Sequence, residues 1–167
     1  MRDRFLERSA RGDLRPEEVT GWDRAPVFGA PEEGRSYTVR PSAYGILERG
    51  GKLALVRTPD GVYLPGGGIE AGETAEEALV REAFEECGLH VRPGGWRERA
   101  VQFAYAKPER MYFEKRSVFV DGTISRETGA GIELDHELFW LVPEEAAASL
   151  THEAHAWAVE RWKSRGA

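Results

Sequence analysis

The sequence predicts a single-domain α/β sandwich, and three observations carry this prediction. Apolar and polar residues alternate in several short runs bounded by glycine- or proline-rich turns, as in β-strands. One amphipathic stretch in the middle of the chain and another near its end have the spacing of helices. The length of 167 residues allows one domain with a sizeable core and leaves no room for a second.

Residues 1–36 differ in composition from the rest and are predicted to be an N-terminal extension of a domain at 37–167. Glycine and proline are frequent between Gly21 and Gly34. We expect the extension to pack over the domain or over a partner subunit, in which case the protein is a homodimer. A disordered tail is the alternative.

The first half of the domain is predicted to contain a β-hairpin and a glycine-rich loop. Strands are expected at 38–48 and 52–58, on either side of a turn at 49–51. A second turn at 59–61 is followed by a short strand at 62–64, which leads into the loop.

The central helix is predicted to run from about Ala75 to Cys87. Thr74 is a natural N-cap, Glu77 completes a capping box, and Gly88 suits the left-handed position that ends a helix. Five apolar residues fall on one arc that should face the core, namely Leu79, Val80, Ala83, Phe84 and Cys87.

The second half of the domain is predicted to contain three strands and two helices. The strands are expected at 96–106, 111–120 and 138–142. A flexible loop is expected at 125–131. A short helix should begin at Pro143, and the last helix should begin after Thr151, as its cap, and end near Lys163.

A second arc of the central helix carries three carboxylates, Glu82, Glu85 and Glu86. Carboxylates at this spacing repel one another by a few tenths of a kcal/mol per pair, roughly, unless a cation lies between them. The preceding loop at 64–68 is so rich in glycine that its backbone can approach an ion or a phosphate closely. Oxygen ligands without histidine or cysteine favour Mg²⁺ or Mn²⁺ over zinc.

The segment at 67–89 resembles the Nudix box at each defining position. Those positions are Gly67, Glu73, Arg81, Glu82, Glu85, Glu86 and Gly88. The similarity extends to about 38–162 and implies a Nudix-type α/β/α sandwich with a mixed central sheet. It also implies hydrolysis of a nucleoside diphosphate linked to another moiety, with metal ions bridging the box glutamates and the diphosphate. A solvated glutamate-rich helix face is the structural alternative.

The resemblance implies a small nucleotide as substrate, with a nucleoside triphosphate as the first candidate. Alternatives are ADP-ribose, a dinucleoside polyphosphate, which Tyr105 favours, and non-catalytic binding of a nucleotide derivative. The proline typical of ADP-ribose hydrolases is absent, because Ala104 and Tyr105 occupy that region. Arg57 matches a position where related enzymes hold a substrate phosphate, and an exposed strand arginine is the alternative. Gly66 is expected to let the backbone approach the substrate.

The resemblance also implies roles for the charged residues. The metal ligands are expected to be Gly67, Glu82, Glu85 and Glu86. Arg81 is predicted to hold Glu73 and thereby orient a metal ligand. The base that activates water is expected to be Glu82, or a loop glutamate, Glu133 or Glu137. Glu137 is favoured because it lies nearer the end of a strand, and solvent-facing loop acids are the alternative.

Composition argues against several other classes of protein. A formal net charge of −6 argues against binding to nucleic-acid polymers. Cys87 is the only cysteine, and the first residues lack the apolar run of a signal peptide. No segment approaches the ~20 apolar residues of a membrane span. A cytoplasmic protein is expected. His152 and His155 lack the zincin spacing and are predicted to be surface or hydrogen-bonded histidines rather than zinc ligands.

Overall fold

The strands and helices of the chain were located in a computed structural model, which describes residues 21–129 and 133–166. The strands of this part are β1 Val27–Phe28, β2 Thr38–Arg49, β3 Lys52–Thr58, β4 Gly61–Tyr63, β5 Gly66–Gly68, β6 Leu89–Ala106, β7 Met111–Glu127 and β8 Glu137–Leu141. The helices of this part are α1 Ala75–Cys87, α2 Pro143–Ser149 and α3 Glu153–Lys163. None of these helices is long and apolar enough to cross a membrane.

The described strands form one mixed sheet in the order β1-β6-β7-β2-β3-β4, with β5 added to β2 and β8 to β3. β1 pairs in parallel with β6, and β2 pairs in parallel with β7. The other neighbours are antiparallel. Because side chains of a strand alternate between faces, the sheet has two apolar surfaces.

Helices cover both surfaces of the sheet. One core contains Ile46 and Leu53 together with the buried residues of α3. The other contains Leu47 and Ala54 together with the buried residues of α1. The structure therefore confirms the predicted α/β/α sandwich with a mixed central sheet.

Helix α1 has the predicted bounds and caps. The Thr74 hydroxyl accepts a hydrogen bond from the Glu77 amide at 3.1 Å, and Gly88 ends the helix with φ 64°. The predicted core arc was too wide, because Val80 and Phe84 are both 39% exposed. At about 100° per residue they lie roughly 100° and 140° from Leu79, beyond the buried arc.

The strand predicted to begin at residue 96 begins earlier, at Leu89, and includes Pro93-Gly94-Gly95. Strand β6 continues through this segment, with a shift in register between Pro93 and Arg97, and pairs with β7 along a long antiparallel hairpin. The Trp96 amide donates to the Asp121 carboxylate at 3.0 Å, which holds the irregular segment to β7. Because β7 extends to Glu127, the predicted loop at 125–131 begins later, and its residues 130 and 131 lie outside the described part.

Thr151 does not cap the last helix. Its hydroxyl accepts a hydrogen bond from the Val62 amide at 2.9 Å, and the N-cap of α3 is His152, without a capping side-chain hydrogen bond. The free amide of Ala154 in the first turn donates instead to the Gln102 side chain at 3.0 Å. The side chain of Gln102 on β6 thus accepts the hydrogen bond of a backbone amide in the first turn of α3.

The described part of the N-terminal extension lies against the domain. Val27 pairs with Val101, and the Phe28 ring lies 6.0 Å from the Trp157 ring. Trp22 packs against the core on the α1 side. Residues 1–20 lie outside the described part of the chain.

Candidate active site

Glu86 is a buried carboxylate that contacts the glycine strand β5. It is 7% exposed and accepts a hydrogen bond from the Gly66 amide at 2.8 Å. Gly66 has φ 146°, and a Cβ there would collide with the Ala43 carbonyl. Only glycine therefore lets β5 lie this close to β2 and present its amide to Glu86.

Glu82 lies one helical turn before Glu86 and faces the same strand. A Cβ at Gly67 would come within 2.7 Å of the Glu82 carboxylate, so the missing side chain leaves room for this contact. Burial raises the pKa of Glu82 to about 7, and the nearby Glu86 charge adds to the effect. Burial likewise raises the pKa of Glu86. Two partly desolvated carboxylates beside an open backbone strand fit a divalent cation.

Arg81 joins the helix to the loop that precedes it. Its guanidinium donates two hydrogen bonds to Glu73, from Nε at 2.7 Å and from Nη2 at 3.0 Å. It also donates to the Gly68 carbonyl at 2.9 Å and to Glu82 at 2.9 Å. The hydrogen bond from Arg81 lowers the pKa of Glu73. The arginine thereby fixes the Glu82 carboxylate with respect to β5.

Glu85 lies at the edge of this group. Its side chain is 42% exposed and accepts from Arg81 Nη1 at 3.2 Å, and it does not line the cleft described below. Its backbone carbonyl accepts from the Glu133 amide at 3.3 Å, which ties the loop before β8 to the helix.

His136, which sequence analysis did not single out, lies between two of the predicted site residues. Its Nδ1 atom is 3.1 Å from Glu86 Oε2 and 2.8 Å from Glu133 Oε2. Among the described residues, His136 Nδ1 has no partner with hydrogen-bond geometry, so both are charge contacts. The contact with Glu86 raises the pKa of His136. One ligand atom from each of the three residues lies within 4.8 Å of the others, close enough to share one cation.

These residues form one wall of a cleft of about 930 Å³. The residues of this wall include Glu82, Glu86, Glu133, His136 and the three glycines of β5. Opposite or beside them are Arg40, Gln102, Lys115 and Tyr105. Tyr105 is 48% exposed, and its ring lies 4.8 Å from that of Tyr112. The cleft thus combines acidic, basic and aromatic groups.

Arg57 and Glu137 lie elsewhere, contrary to what the sequence favoured. The antiparallel register of β3 and β8 places them opposite each other, and their side chains form an exposed ion pair at 3.1 Å. Arg57 also lies over the Phe139 ring, at 4.3 Å. Neither residue lines the cleft. The phosphate contact predicted for Arg57 and the preference for Glu137 over Glu133 therefore have no support in this arrangement.

His152 and His155 are buried and packed against each other, with ring centroids 5.4 Å apart. His155 Nδ1 accepts a hydrogen bond from the Leu64 amide at 3.2 Å. Burial lowers the pKa of both histidines, that of His152 to about 3. Both histidines are neutral; His152 lines the cleft, and His155 is buried outside its lining.

Comparison with known proteins identifies the family of this chain. A family model described as NUDIX domain matches residues 37–162. An ADP-ribose pyrophosphatase from Methanocaldococcus jannaschii is 30% identical over 130 residues, which is 72% of each chain. An NAD-capped RNA hydrolase, NudC, from Pseudomonas entomophila is 42% identical over 76 residues, which cover 42% of this chain and 27% of NudC.

Two solved structures share the fold. A NUDIX hydrolase from Nitrosomonas europaea has a TM-score of 0.60 at 17% identity and covers 76% of this chain and 90% of its own. The E. coli ORF135 protein has a TM-score of 0.54 at 24% identity and covers 78% of this chain and 96% of its own. The chain belongs to the Nudix family and is a hydrolase that acts on a phosphoanhydride bond.

Proposed function

We propose that this Nudix hydrolase uses Mg²⁺ or Mn²⁺ to hydrolyse a nucleoside diphosphate derivative, with a nucleoside triphosphate as the first candidate substrate. The observation that carries the proposal is the pair formed by the buried carboxylate of Glu86 and the partly buried carboxylate of Glu82, beside the open backbone of β5. Such a pair has no stabilising purpose of its own, because burial opposes its ionisation.

The metal would be held by Glu82 and Glu86, with the Gly67 carbonyl and Glu85 as further oxygen ligands. When bound, it neutralises the diphosphate and stabilises the charge that develops on the leaving oxygen. Arg81 keeps Glu82 in place through its hydrogen bonds to Glu73 and the Gly68 carbonyl. We assign to Arg81 a positioning role, because its donors are used within the protein.

Glu133 is our first candidate for the general base that activates the water molecule. Its carboxylate lines the cleft, and one of its oxygens lies within 4.8 Å of an oxygen of Glu86, so that it can take a proton from a water molecule held beside the proposed metal site. Glu82 suits this role less well, because a cation beside its carboxylate favours the charged form and lowers its basicity. Glu137 does not line the cleft, and its carboxylate pairs with Arg57.

ADP-ribose is the second candidate substrate. The relative that covers 72% of this chain is an ADP-ribose pyrophosphatase, which is the observation in its favour. Its diphosphate would occupy the same metal site.

We further propose a cytoplasmic protein that does not bind nucleic-acid polymers, given its net charge of −6 and the single, buried cysteine. A homodimer through the N-terminal extension remains a prediction.

With Mg²⁺ present, a nucleoside triphosphate should be turned over with a higher kcat/KM than ADP-ribose. The measurement is a panel of ATP, GTP, a dinucleoside tetraphosphate and ADP-ribose, with released phosphate, pyrophosphate and nucleoside monophosphate quantified separately. A preference for ADP-ribose of about tenfold, or roughly 1.4 kcal/mol of transition-state stabilisation, would replace the first candidate by the second.

A further inference from the structure

Lys115 is a partly buried cation that lines the cleft. It lies on β7, directly opposite Arg40 in the parallel register with β2. In the part of the chain that the structure describes, Lys115 makes no hydrogen bond or ion pair, although it lines the same cleft as Glu82 and Glu86. Arg40 has one acidic partner, Glu109, at 3.4 Å.

This arrangement is unfavourable for the protein alone. Burial lowers the pKa of Lys115 to about 8, and repulsion from Arg40 contributes in the same direction. Glu109 is the acid whose charge opposes these effects, and it is engaged by Arg40. The neighbouring His152 is neutral and supplies no counter-charge. An anion entering the cleft would supply it.

Arg40 and Lys115 start from strand positions beyond the one that faces the carboxylates. Along β2, Ala43 is opposite Gly67, which faces Glu82, whereas Arg40 is three residues further along the strand. Three strand residues span about 10 Å. The Arg40 Nε atom is near Gly68, 3.6 Å from where a Cβ of that glycine would lie. The Arg40 side chain therefore borders the proposed metal site at the next residue of β5, and Lys115 lies opposite Arg40 on β7.

We propose that Arg40 and Lys115 form an anion subsite that binds a phosphate of the substrate beyond the diphosphate held at Glu82 and Glu86. This inference rests on the proposed function and narrows the substrate class. Nucleoside triphosphates and dinucleoside polyphosphates carry such an additional phosphate, whereas ADP-ribose does not. Lys115 is then a determinant of specificity that favours the more highly phosphorylated nucleotide.

Lys115→Gln should lower kcat/KM for ATP by about tenfold or more, because one hydrogen bond to a charged group is lost. The loss should appear mainly in KM. ADP-ribose has no phosphate at the subsite and should be affected only by the loss of one positive charge from the cleft. Its kcat/KM should therefore change by less than about threefold. The matched control is Lys52→Gln, at an exposed position of the hairpin between β2 and β3, which should leave both substrates unaffected.

A second measurement does not depend on turnover. Binding of inorganic tripolyphosphate to the whole protein in excess chelator, measured by calorimetry, should weaken about tenfold in Lys115→Gln and remain unchanged in Lys52→Gln. Equal losses for ATP and ADP-ribose, or unchanged tripolyphosphate binding, would overturn the subsite. If the wild type hydrolyses neither nucleotide but binds tripolyphosphate through Lys115, the subsite stands and the proposed function fails.

Thermal unfolding distinguishes a subsite from a structural role. Because the folded protein binds the Lys115 proton less tightly than the unfolded chain, the charge destabilises the fold below pH 8, and this effect is relieved between about 8 and the ordinary 10.5. Lys115→Gln should therefore melt at the same or a higher temperature than wild type at pH 7, with a difference that shrinks above pH 8. A lower melting temperature at pH 7 would assign Lys115 to stability instead.

Discussion

Replacing Glu86 by glutamine should lower kcat at least ~100-fold, since even residues that only support metal ligands typically contribute about 10- to 100-fold. Glutamine retains an oxygen that can accept the hydrogen bond from the Gly66 amide. It removes the negative charge, which the proposed metal site needs. Because burial raises the pKa of Glu86, the fold opposes this charge, and a neutral side chain should leave the melting temperature unchanged or higher.

The matched control for this substitution is Glu77→Gln. Glu77 is exposed on the same helix, so the change in net charge is the same, and turnover should stay at the wild-type level. Steady-state kinetics at saturating Mg²⁺, together with thermal unfolding, distinguish loss of function from loss of fold. Near-wild-type kcat for Glu86→Gln would remove Glu86 from the proposed metal site.

Replacing Glu133 by glutamine should lower kcat by about 10² to 10⁴, the usual contribution of a general base. The Mg²⁺ concentration that gives half-maximal activity should change little, because Glu82 and Glu86 remain. Glu137→Gln is a close control, since it makes the same change four residues later. Its carboxylate pairs with Arg57 outside the cleft, so kcat should be nearly unaffected.

Three outcomes of this comparison separate the alternatives. If excess Mg²⁺ restores the kcat of Glu133→Gln, Glu133 is a metal ligand rather than the base. If Glu137→Gln is the defective variant, Glu137 is the general base, as the sequence favoured, and the loop rearranges when substrate binds. If both loop variants keep wild-type kcat while Glu82→Gln does not, the base lies on α1.

Local signals explain why the helix and its carboxylates were predicted well from the sequence. Thr74 and Gly88 define α1 through contacts within a few residues, and the helical period alone brings Glu82 and Glu86 to one side. The period does not give the width of the buried arc, which depends on how closely α1 approaches the sheet. For that reason Val80 and Phe84 were wrongly expected in the core.

Long-range pairing decides the features that the sequence did not predict. The register of β3 with β8 directs Glu137 to Arg57, and the parallel pairing of β2 with β7 sets Lys115 beside Arg40. Neither register is encoded in a local motif. His136 had one local signal, a histidine three residues after Glu133, but its contact with Glu86 depends on the loop folding back over α1.

The dependence of turnover on a divalent cation tests the central claim most directly. Hydrolysis of the preferred nucleotide should be measured with Mg²⁺, after addition of excess chelator, and again after Mg²⁺ is restored. We expect turnover to fall to the background rate in chelator and to return with Mg²⁺, because Glu82 and Glu86 are proposed to act through the cation. Undiminished turnover in excess chelator would contradict the proposed metal site.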